Sequence, residues 1–148
     1  LNNKNIFIFG VKPKSASSDY GYMLSKKTSK TNNKVVKFIE KPNQKKAKEV
    51  IAKNGYWNSG IVLARKDSII NNTKKVQKNL FDLCLKSISL AKKNKNIISL
   101  QKNYFKKIKP ISFDYAILEK SKEINSINLV RSWELEGNIQ DYKKSNYT

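Results

Sequence analysis

Residues 35–64 read VVKFIEKPNQKKAKEVIAKNGYWNSGIVLA, and this stretch decides the fold. Residues 35–39 are mostly β-branched or aromatic, which favours a strand, and Pro42 ends that strand because proline cannot donate to a strand ladder. Residues 43–53 follow with a capping asparagine and apolar residues at helical spacing, and residues 57–64 form the next strand. The order strand, helix, strand predicts a layered α/β domain.

The rest of the chain supplies further elements of both kinds. We predict strands at 5–11, 20–25 and 127–133 and helices after Asp67, at 76–93 and at 113–120. A turn region rich in Thr, Asn and Lys separates 20–25 from 35–40, so these two segments are expected to form a hairpin. The fold class predicted from the sequence is therefore α/β, a mixed sheet with flanking helices.

Two short motifs carry side chains that suit a phosphorylated sugar. Glu40 and Lys41 place a carboxylate and an ammonium at the end of one strand, and Asn58 adds an amide at the start of the next. A carboxylate accepts hydrogen bonds from hydroxyls, an ammonium faces a phosphate, and an amide both donates and accepts. Gly21 is a further candidate, because a glycine inside a strand marks either a bend or the close approach of another group.

Four blocks of sequence occur in an order that spans nearly the whole chain. They are residues 9–13 (FGVKP) leading to 19–22 (DYGY), 38–42 (FIEKP), 57–60 (WNSG) and 112–120 (SFDYAILEK). In this order the blocks resemble the sugar nucleotidyltransferases, most closely the mannose-1-phosphate guanylyltransferases. The resemblance implies a Rossmann-like, glycosyltransferase-A-like domain, and an enzyme that makes GDP-mannose from GTP and mannose 1-phosphate with release of pyrophosphate.

The resemblance also implies which residues meet the substrates, a sugar 1-phosphate and a nucleoside triphosphate. Glu40 holds sugar hydroxyls and Lys41 approaches the phosphate. Asn58 contacts the sugar, and the backbone of Gly21 lies against it. Ser59 joins this substrate-binding set, and its Asn-Ser-Gly context fits the guanylyl branch better than the thymidylyl and uridylyl relatives. No side chain is assigned a catalytic role, because the sugar phosphate is itself the nucleophile.

The family binds its catalytic Mg²⁺ through the aspartate of a Trp-Ser-Asp-Val-Gly-Ser-Trp pattern near the end of the domain. Here the aligned residues 133–139 read WELEGNI, which places Leu135 at the aspartate position. An alkyl side chain cannot ligate a hard cation, so Glu134 and Glu136 are the candidate Mg²⁺ ligands. Asp114, in contrast, is expected to have a structural role at the N-terminal end of its helix, where the helix dipole favours a negative charge.

Glycine is scarce, with five in 148 residues, and no two of them are spaced to build the Gly-rich loop that cradles nucleotide phosphates. We therefore expect residues 1–148 to be the C-terminal, sugar-phosphate-binding half of a nucleotidyltransferase domain whose N-terminal, nucleotide-binding half is absent. We expect no turnover from this chain alone. A fragment of a sheet leaves an edge and an apolar face uncovered, which predicts self-association.

Three alternatives stay open at this point. One is another sugar-1-phosphate nucleotidyltransferase, such as a glucose-1-phosphate thymidylyl or uridylyl enzyme, and another is a degenerate, non-catalytic relative, which Leu135 favours. The third is a basic nucleic-acid-binding module, suggested by the net charge of +20. The charge, however, is almost all dispersed Lys, with Arg only at Arg65 and Arg131. Such a surface predicts weak, salt-dependent binding, so no specific nucleic-acid partner is expected.

The cysteine and histidine content narrows the chemistry further. Cys84 is the single cysteine, so the chain has no disulfide framework of its own, and a reducing, cytoplasmic compartment is expected. Its spacing with Leu80 and Ile88 predicts a buried, inert thiol on the inner face of a helix. The chain has no histidine, which excludes imidazole acid–base catalysis. No apolar run approaches the length of a membrane span, so no membrane partner is expected.

Overall fold

The computed structural model describes residues 5–28 and 33–129 of the chain. The strands in these ranges are β1 (Ile6–Val11), β2 (Tyr22–Lys27), β3 (Asn33–Ile39), β4 (Tyr56–Ala64), β5 (Lys92–Asn94), β6 (Ile97–Ser99) and β7 (Ile124–Asn128). The helices are α1 (Gln44–Ala52), α2 (Lys66–Val76), α3 (Lys78–Ser89) and α4 (Lys102–Phe105), and a single π-helical turn spans Asp114–Leu118.

Five of these strands close into a barrel in the order β1, β4, β2, β3, β7. β1 and β7 run parallel, whereas the other neighbouring pairs are antiparallel, so the sheet is mixed and the predicted fold class is confirmed. The predicted hairpin is also present, because β2 pairs antiparallel with β3 and places Tyr22 opposite Ile39. The strand–helix–strand order of residues 35–64 is confirmed as β3, α1 and β4.

Apolar residues pack on both faces of the sheet, because successive residues of a strand point to opposite sides. Met23 belongs to a core cluster that contains Ile6 of β1, whereas Tyr22, its neighbour in β2, belongs to a second cluster that contains Val50 of α1. The π-helical turn contributes Ile117 and its buried neighbours to the first cluster. Helical residues therefore pack against both faces of the sheet, those of the π-helical turn on one face and those of α1 on the other.

α1 forms where its sequence supplies both a cap and an apolar face. The Asn43 side chain accepts a hydrogen bond from Lys46 N at 2.9 Å, which satisfies one of the free N–H groups of the first turn. Ala47 and Val50, three residues apart on one face of the helix, are buried against the sheet. The helix thus connects β3 to β4 across one face of the sheet.

The structure differs from the predicted boundaries at several elements. Predicted helix 76–93 is shorter, because α3 begins at Lys78 and residues beyond Ser89 form the β5–β6 hairpin, which the sequence pattern does not indicate. Asp67 lies in the first turn of α2, one residue inside the helix rather than at its cap. The predicted strand 127–133 is found as Ile124–Asn128, and its remainder from 130 onward lies outside the described residues.

The prediction of a buried thiol at Cys84 is wrong, because this side chain is exposed. The buried face of α3 centres instead on Ser87, which is 1% exposed and whose backbone carbonyl accepts from Gln101 N at 3.0 Å. Leu85 and Ile88 are consequently exposed. The helical period identifies the apolar stripe correctly, but the described part of the protein does not cover it.

Gly55 offers a test of the packing between α1 and the sheet. Its N–H donates to Val50 O at 2.9 Å, and a β-carbon at this position would overlap Val50 Cγ1 and lie 2.7 Å from the Val50 carbonyl oxygen. Because a backbone atom cannot move aside cheaply, we expect Gly55→Ala to lower the free energy of unfolding by about 1–3 kcal/mol. Chemical denaturation measures this change. Lys48→Ala, on the exposed side of the same helix, is the matched control, and an unchanged midpoint for Gly55→Ala would contradict the packing.

Candidate functional site

The register of three strands brings the predicted site residues together. Tyr22, the first residue of β2, pairs with Ile39 of β3 on one side and with Trp57 of β4 on the other. The residues adjacent to these three partners therefore meet at one end of the sheet: Gly21, Glu40 and Asn58. The same end was expected from the order of the motifs, and the strand pairing supplies the physical reason.

Gly21 is in close contact with both of the other residues. Its carbonyl oxygen accepts a hydrogen bond from Asn58 N at 2.7 Å. A β-carbon on Gly21 would lie 2.5 Å from Glu40 Oε2 and 3.0 Å from Phe38 Cζ, so the absence of a side chain makes room for the Glu40 carboxylate. The group that approaches Gly21 in the structure is the Glu40 side chain, and the contact of the Gly21 backbone with a sugar stays a prediction.

The Asn58 amide is held at both of its polar atoms. Asn58 Nδ2 donates to Asp114 Oδ1 at 3.0 Å, and Asn58 Oδ1 accepts from Gly60 N at 3.3 Å. Gly60 adopts a φ of +76°, a conformation that glycine accepts without strain and that turns its N–H back toward the amide. Asn58 is buried, and these two hydrogen bonds fix which of its ends donates and which accepts.

Glu40 and Lys41 form a tight turn at the end of β3. Glu40 N donates to Glu119 Oε1 at 2.8 Å, so a carboxylate from the π-helical segment holds the backbone of this turn. Lys41 follows with a φ of +44°, in the left-handed region that non-glycine residues adopt at a cost of about 1–3 kcal/mol. The Lys41 side chain is exposed, which leaves its ammonium accessible to an anion.

An aromatic pair lies beside these polar groups. The rings of Tyr20 and Trp57 are 4.7 Å apart between centroids, and Tyr22 meets Trp57 edge-on at 6.4 Å. The Tyr22 hydroxyl donates to the carbonyl of Ser17 at 2.8 Å, which ties the preceding loop to β2. These contacts pack the three aromatic side chains against one another beside Gly21.

Two sets of predicted site residues do not join this cluster. Ser59 Oγ accepts from Ile61 N at 3.2 Å, so the Ser59 hydroxyl is engaged in a local turn of its own strand. Glu134 and Glu136, the candidate Mg²⁺ ligands, lie outside the described residues, as does Leu135. Within residues 5–28 and 33–129, no group of three or more Asp, Glu or Cys side chains is placed to hold a metal ion.

The sequence patterns did not single out Asp114 and Glu119 as site residues. The sequence predicts only a structural role for Asp114 at a helix end, yet its carboxylate contacts the Asn58 amide. Glu119 contacts the Glu40 backbone and carried no assignment. The signal that could have indicated them is their membership of the 112–120 block, the fourth block of the resemblance.

The electrostatics of the cluster act on Glu40. Burial raises the pKa of Glu40 above its ordinary value of 4.5, the charge of Asp114 raises it further, Lys41 lowers it, and Glu119 adds a smaller increase. The folded protein therefore holds the Glu40 proton more tightly than the unfolded chain does. The resulting contribution to stability is greatest below the ordinary carboxylate pKa and is lost as pH rises through the raised value.

This shift predicts that Glu40→Gln stabilises the fold at neutral pH. The neutral amide removes a partly desolvated charge and its repulsion by Asp114 and Glu119, so we expect the Tm at pH 7 to rise. The gain should shrink as the pH is lowered toward 4, where wild-type Glu40 takes up its proton. Thermal unfolding followed by circular dichroism between pH 4 and pH 8 measures the effect.

Glu49 is the matched control for this prediction. Its side chain accepts a hydrogen bond from Lys46, which lowers the pKa of Glu49, so its contribution to stability is present above the ordinary pKa. Glu49→Gln should therefore leave the Tm at pH 7 unchanged or lower it. A Glu40→Gln variant that melts below the wild type at pH 7 and above it at pH 4 would contradict the assigned electrostatics.

The space at Gly21 leads to a second prediction. In Gly21→Ala the new methyl carbon would lie 2.5 Å from Glu40 Oε2, so we expect the flexible Glu40 side chain to swing out toward water. We expect the pKa of Glu40 to fall toward its ordinary value, with a loss of stability of only about 1 kcal/mol. A ¹³C NMR titration of the side-chain carboxyls measures the pKa, with Glu49 as the internal reference. A Glu40 titration that is identical in both proteins would disprove the contact.

Among the described residues, no helix is both long and apolar enough to cross a membrane.

Comparison with known sequences identifies the family of this chain. A model of the nucleotidyl transferase family matches residues 1–148. The chain is 29% identical over 130 residues to the alginate biosynthesis protein AlgA of Pseudomonas syringae pv. tomato, which covers 85% of this chain and 27% of that protein.

Two further relatives have similar coverage. The chain is 25% identical over 134 residues to the mannose-1-phosphate guanylyltransferase of Escherichia coli, covering 87% of this chain and 28% of that enzyme. It is 32% identical over 127 residues to the xanthan biosynthesis protein XanB of Xanthomonas campestris pv. campestris, covering 84% and 27%. The chain thus spans roughly a quarter of the length of the curated relatives it matches.

Solved structures show the same fold. A structure described as mannose-6-phosphate isomerase from Helicobacter pylori matches with a TM-score of 0.73 at 23% identity, over 88% of this chain and 52% of that one. A structure described as mannose-1-phosphate geranyltransferase from Thermus thermophilus matches with a TM-score of 0.76 at 18% identity, over 97% and 40%. The family model covers the full length of the sequence, and this chain belongs to the nucleotidyl transferase family.

Proposed function

We propose that this chain forms the sugar-phosphate-binding part of a mannose-1-phosphate guanylyltransferase-like enzyme, which makes GDP-mannose from GTP and mannose 1-phosphate. The observation that carries the proposal is the meeting of Glu40 and Asn58 beside Gly21, with Lys41 next in the chain. The name of the Escherichia coli relative supports the choice of mannose 1-phosphate and of a guanylyl group.

Each group of the cluster has a chemical task toward such a substrate. The ionised Glu40 carboxylate accepts hydrogen bonds from two neighbouring sugar hydroxyls, and a charged acceptor makes each bond about twice as strong as a neutral one. Asn58, with its amide already oriented, adds one free donor hydrogen and one free lone pair for the sugar. The exposed Lys41 ammonium neutralises the phosphate.

The reaction needs positioning more than it needs a protein nucleophile. The phosphate oxygen of the sugar phosphate attacks the α-phosphorus of the nucleotide, a new phosphoanhydride bond forms, the bond between the α- and β-phosphates breaks, and pyrophosphate leaves. The site holds the sugar so that this oxygen points in a fixed direction, and fixed orientation lowers the barrier by removing translational and rotational freedom. A chain without histidine is compatible with this chemistry, because no side chain has to shuttle the proton of a hydroxyl nucleophile.

The family resemblance implies Mg²⁺ for the complete reaction, where the ion would neutralise phosphate charge. Among residues 5–28 and 33–129, no group of three or more carboxylates is placed to hold this ion. Glu134 and Glu136 therefore stay the proposed ligands.

A reducing compartment and self-association likewise stay predictions. The exposed Leu85 of α3 marks the apolar surface that we propose for self-association.

Binding of mannose 1-phosphate to the 148-residue chain tests the proposal. We expect weak binding, with a Kd on the order of 1 mM, measured by ligand titration in ¹H–¹⁵N NMR spectra at pH 7.5. Glu40→Gln should weaken the affinity about tenfold, because it replaces a charged acceptor with a neutral one. Lys41→Met should abolish the preference for mannose 1-phosphate over free mannose, because the phosphate loses its cation.

Lys48→Met and Glu49→Gln are matched controls on α1, away from the cluster, and should bind as the wild type does. Glucose 1-phosphate distinguishes the alternative enzymes, since a preference for it over mannose 1-phosphate would favour the glucose-1-phosphate branch. Inorganic phosphate tests whether charge alone accounts for binding to so basic a chain. Binding that is equal for inorganic phosphate and mannose 1-phosphate, or unaffected by Glu40→Gln, would contradict the proposal.

A further inference from the structure

The π-helical turn places two carboxylates where an α-helix could not. Glu119 N donates to Asp114 O at 3.0 Å, the i to i+5 hydrogen bond that defines this turn, so Glu119 follows one full turn after Asp114. In an α-helix, residues five apart point about 140° away from each other. The wider turn instead directs both side chains toward the same end of the sheet, where Asp114 reaches β4 and Glu119 reaches the end of β3.

Asp114 determines the orientation of the Asn58 amide. Its Oδ1 accepts from Asn58 Nδ2 at 3.0 Å, while Gly60 N donates to Asn58 Oδ1 at 3.3 Å. A rotation of the amide by 180° would set two oxygen atoms, those of Asn58 and Asp114, against each other and the Asn58 NH₂ against the Gly60 N–H. The carboxylate therefore selects one of the two amide orientations.

Glu119 determines the position of the Glu40–Lys41 turn. Its carboxylate accepts the Glu40 N–H at 2.8 Å, at the residue immediately before the left-handed Lys41. A hydrogen bond to a charged acceptor contributes more than a neutral one, which helps to hold a backbone conformation that lysine does not favour on its own. The direction in which the Lys41 ammonium leaves the sheet thus depends on Glu119.

The turn itself is anchored in the core. Ala116, Ile117 and Leu118 are 4%, 2% and 2% exposed, and Gln77 Nε2 donates to Ala116 O at 3.1 Å. Because these three apolar residues lie between the two carboxylates, the turn cannot move without exposing them. The two acidic side chains are therefore presented from a rigid support, as a precisely oriented site requires.

We propose that the segment 114–119 is a clamp in which Asp114 and Glu119 are positioning residues: Asp114 orients Asn58 for the sugar, and Glu119 orients the Glu40–Lys41 turn for the sugar phosphate. The inference rests on the proposed function for its ligand, but the clamp has signatures in the ligand-free protein. It also assigns a role to the fourth sequence block, none of whose residues belongs to the predicted substrate-binding set.

The first arm of the test uses the ligand-free chain. In ¹H–¹⁵N NMR spectra we expect two well-separated Asn58 side-chain N–H signals and a Glu40 amide proton protected from exchange. Asp114→Ala should shift the Asn58 side-chain N–H signals toward ordinary asparagine values. Glu119→Ala should remove the protection of the Glu40 amide proton. Asp114→Asn and Glu119→Gln retain an acceptor oxygen and should preserve both signatures. Asp114→Asn should also lower the pKa of Glu40, because a neighbouring negative charge is removed, while burial, Lys41 and Glu119 still act on it.

The second arm measures mannose 1-phosphate affinity for the same variants. Each alanine variant should bind about tenfold more weakly, whereas Asp114→Asn and Glu119→Gln should stay within about threefold of the wild type. Glu123→Ala is the matched control, a carboxylate four residues beyond Glu119 that pairs with Lys34 and Lys75 instead, at 3.9 and 3.8 Å. Thermal unfolding of all variants separates loss of folding from loss of positioning.

The outcomes separate the clamp from the proposed function. Unchanged Asn58 and Glu40 signals in the two alanine variants would overturn the clamp, and so would alanine variants that bind mannose 1-phosphate as tightly as the wild type. A wild-type chain with the expected ligand-free signals but no binding of mannose 1-phosphate would contradict the proposed function and the positioning role that rests on it. Alanine losses with rescue by the amide variants support the clamp.

Discussion

The candidate site depends on one constraint, the pairing of Tyr22 with Ile39 on one side and with Trp57 on the other. A shift of either partner strand by a single residue would turn Glu40 or Asn58 to the opposite face of the sheet. Tyr22 is fully buried, and its hydroxyl donates to a carbonyl of the preceding loop at 2.8 Å, so the register is fixed by packing as well as by the ladder. Strand pairing thereby brings the three residues together at one end of the sheet.

The sequence predicts much of this arrangement for clear reasons. The β-branched residues of 35–39 and the cap at Asn43 are local signals, and the elements they indicate are present. The hairpin between β2 and β3 follows from two strands around a polar turn, and it brings Gly21 close to Glu40. Local chemistry therefore suffices wherever a segment is bounded by its own caps and turns.

The remainder depends on contacts distant in sequence. The π-helical turn of 114–118 requires the burial of Ile117 and its neighbours against strands from the other end of the chain, so no local pattern distinguishes it from an α-helical turn. The prediction of a buried Cys84 on α3 was wrong for the same reason. The periodicity of Leu85 and Ile88 identifies an apolar stripe, but it does not show which part of the protein covers that stripe. The roles of Asp114 and Glu119 follow only once the turn is placed.

The candidate site also contains features that lower the stability of the folded protein. Glu40 is half-buried near two other carboxylates, and Lys41 adopts a left-handed conformation, both of which oppose folding. Such departures are expected at functional sites, and the surrounding core of Ala116 to Leu118 has to offset them. The cluster is acidic within a chain of net charge +20, so its charges do not follow from overall composition.

The most direct test of this account is a crystal structure of the chain soaked with mannose 1-phosphate. The account predicts that the sugar hydroxyls lie within hydrogen-bond distance of the Glu40 carboxylate and the Asn58 amide, with the phosphate beside Lys41. The contacts from Asp114 and Glu119 should be unchanged from the ligand-free protein. A sugar phosphate that binds at another surface, or that directs its phosphate at Glu40, would contradict the account.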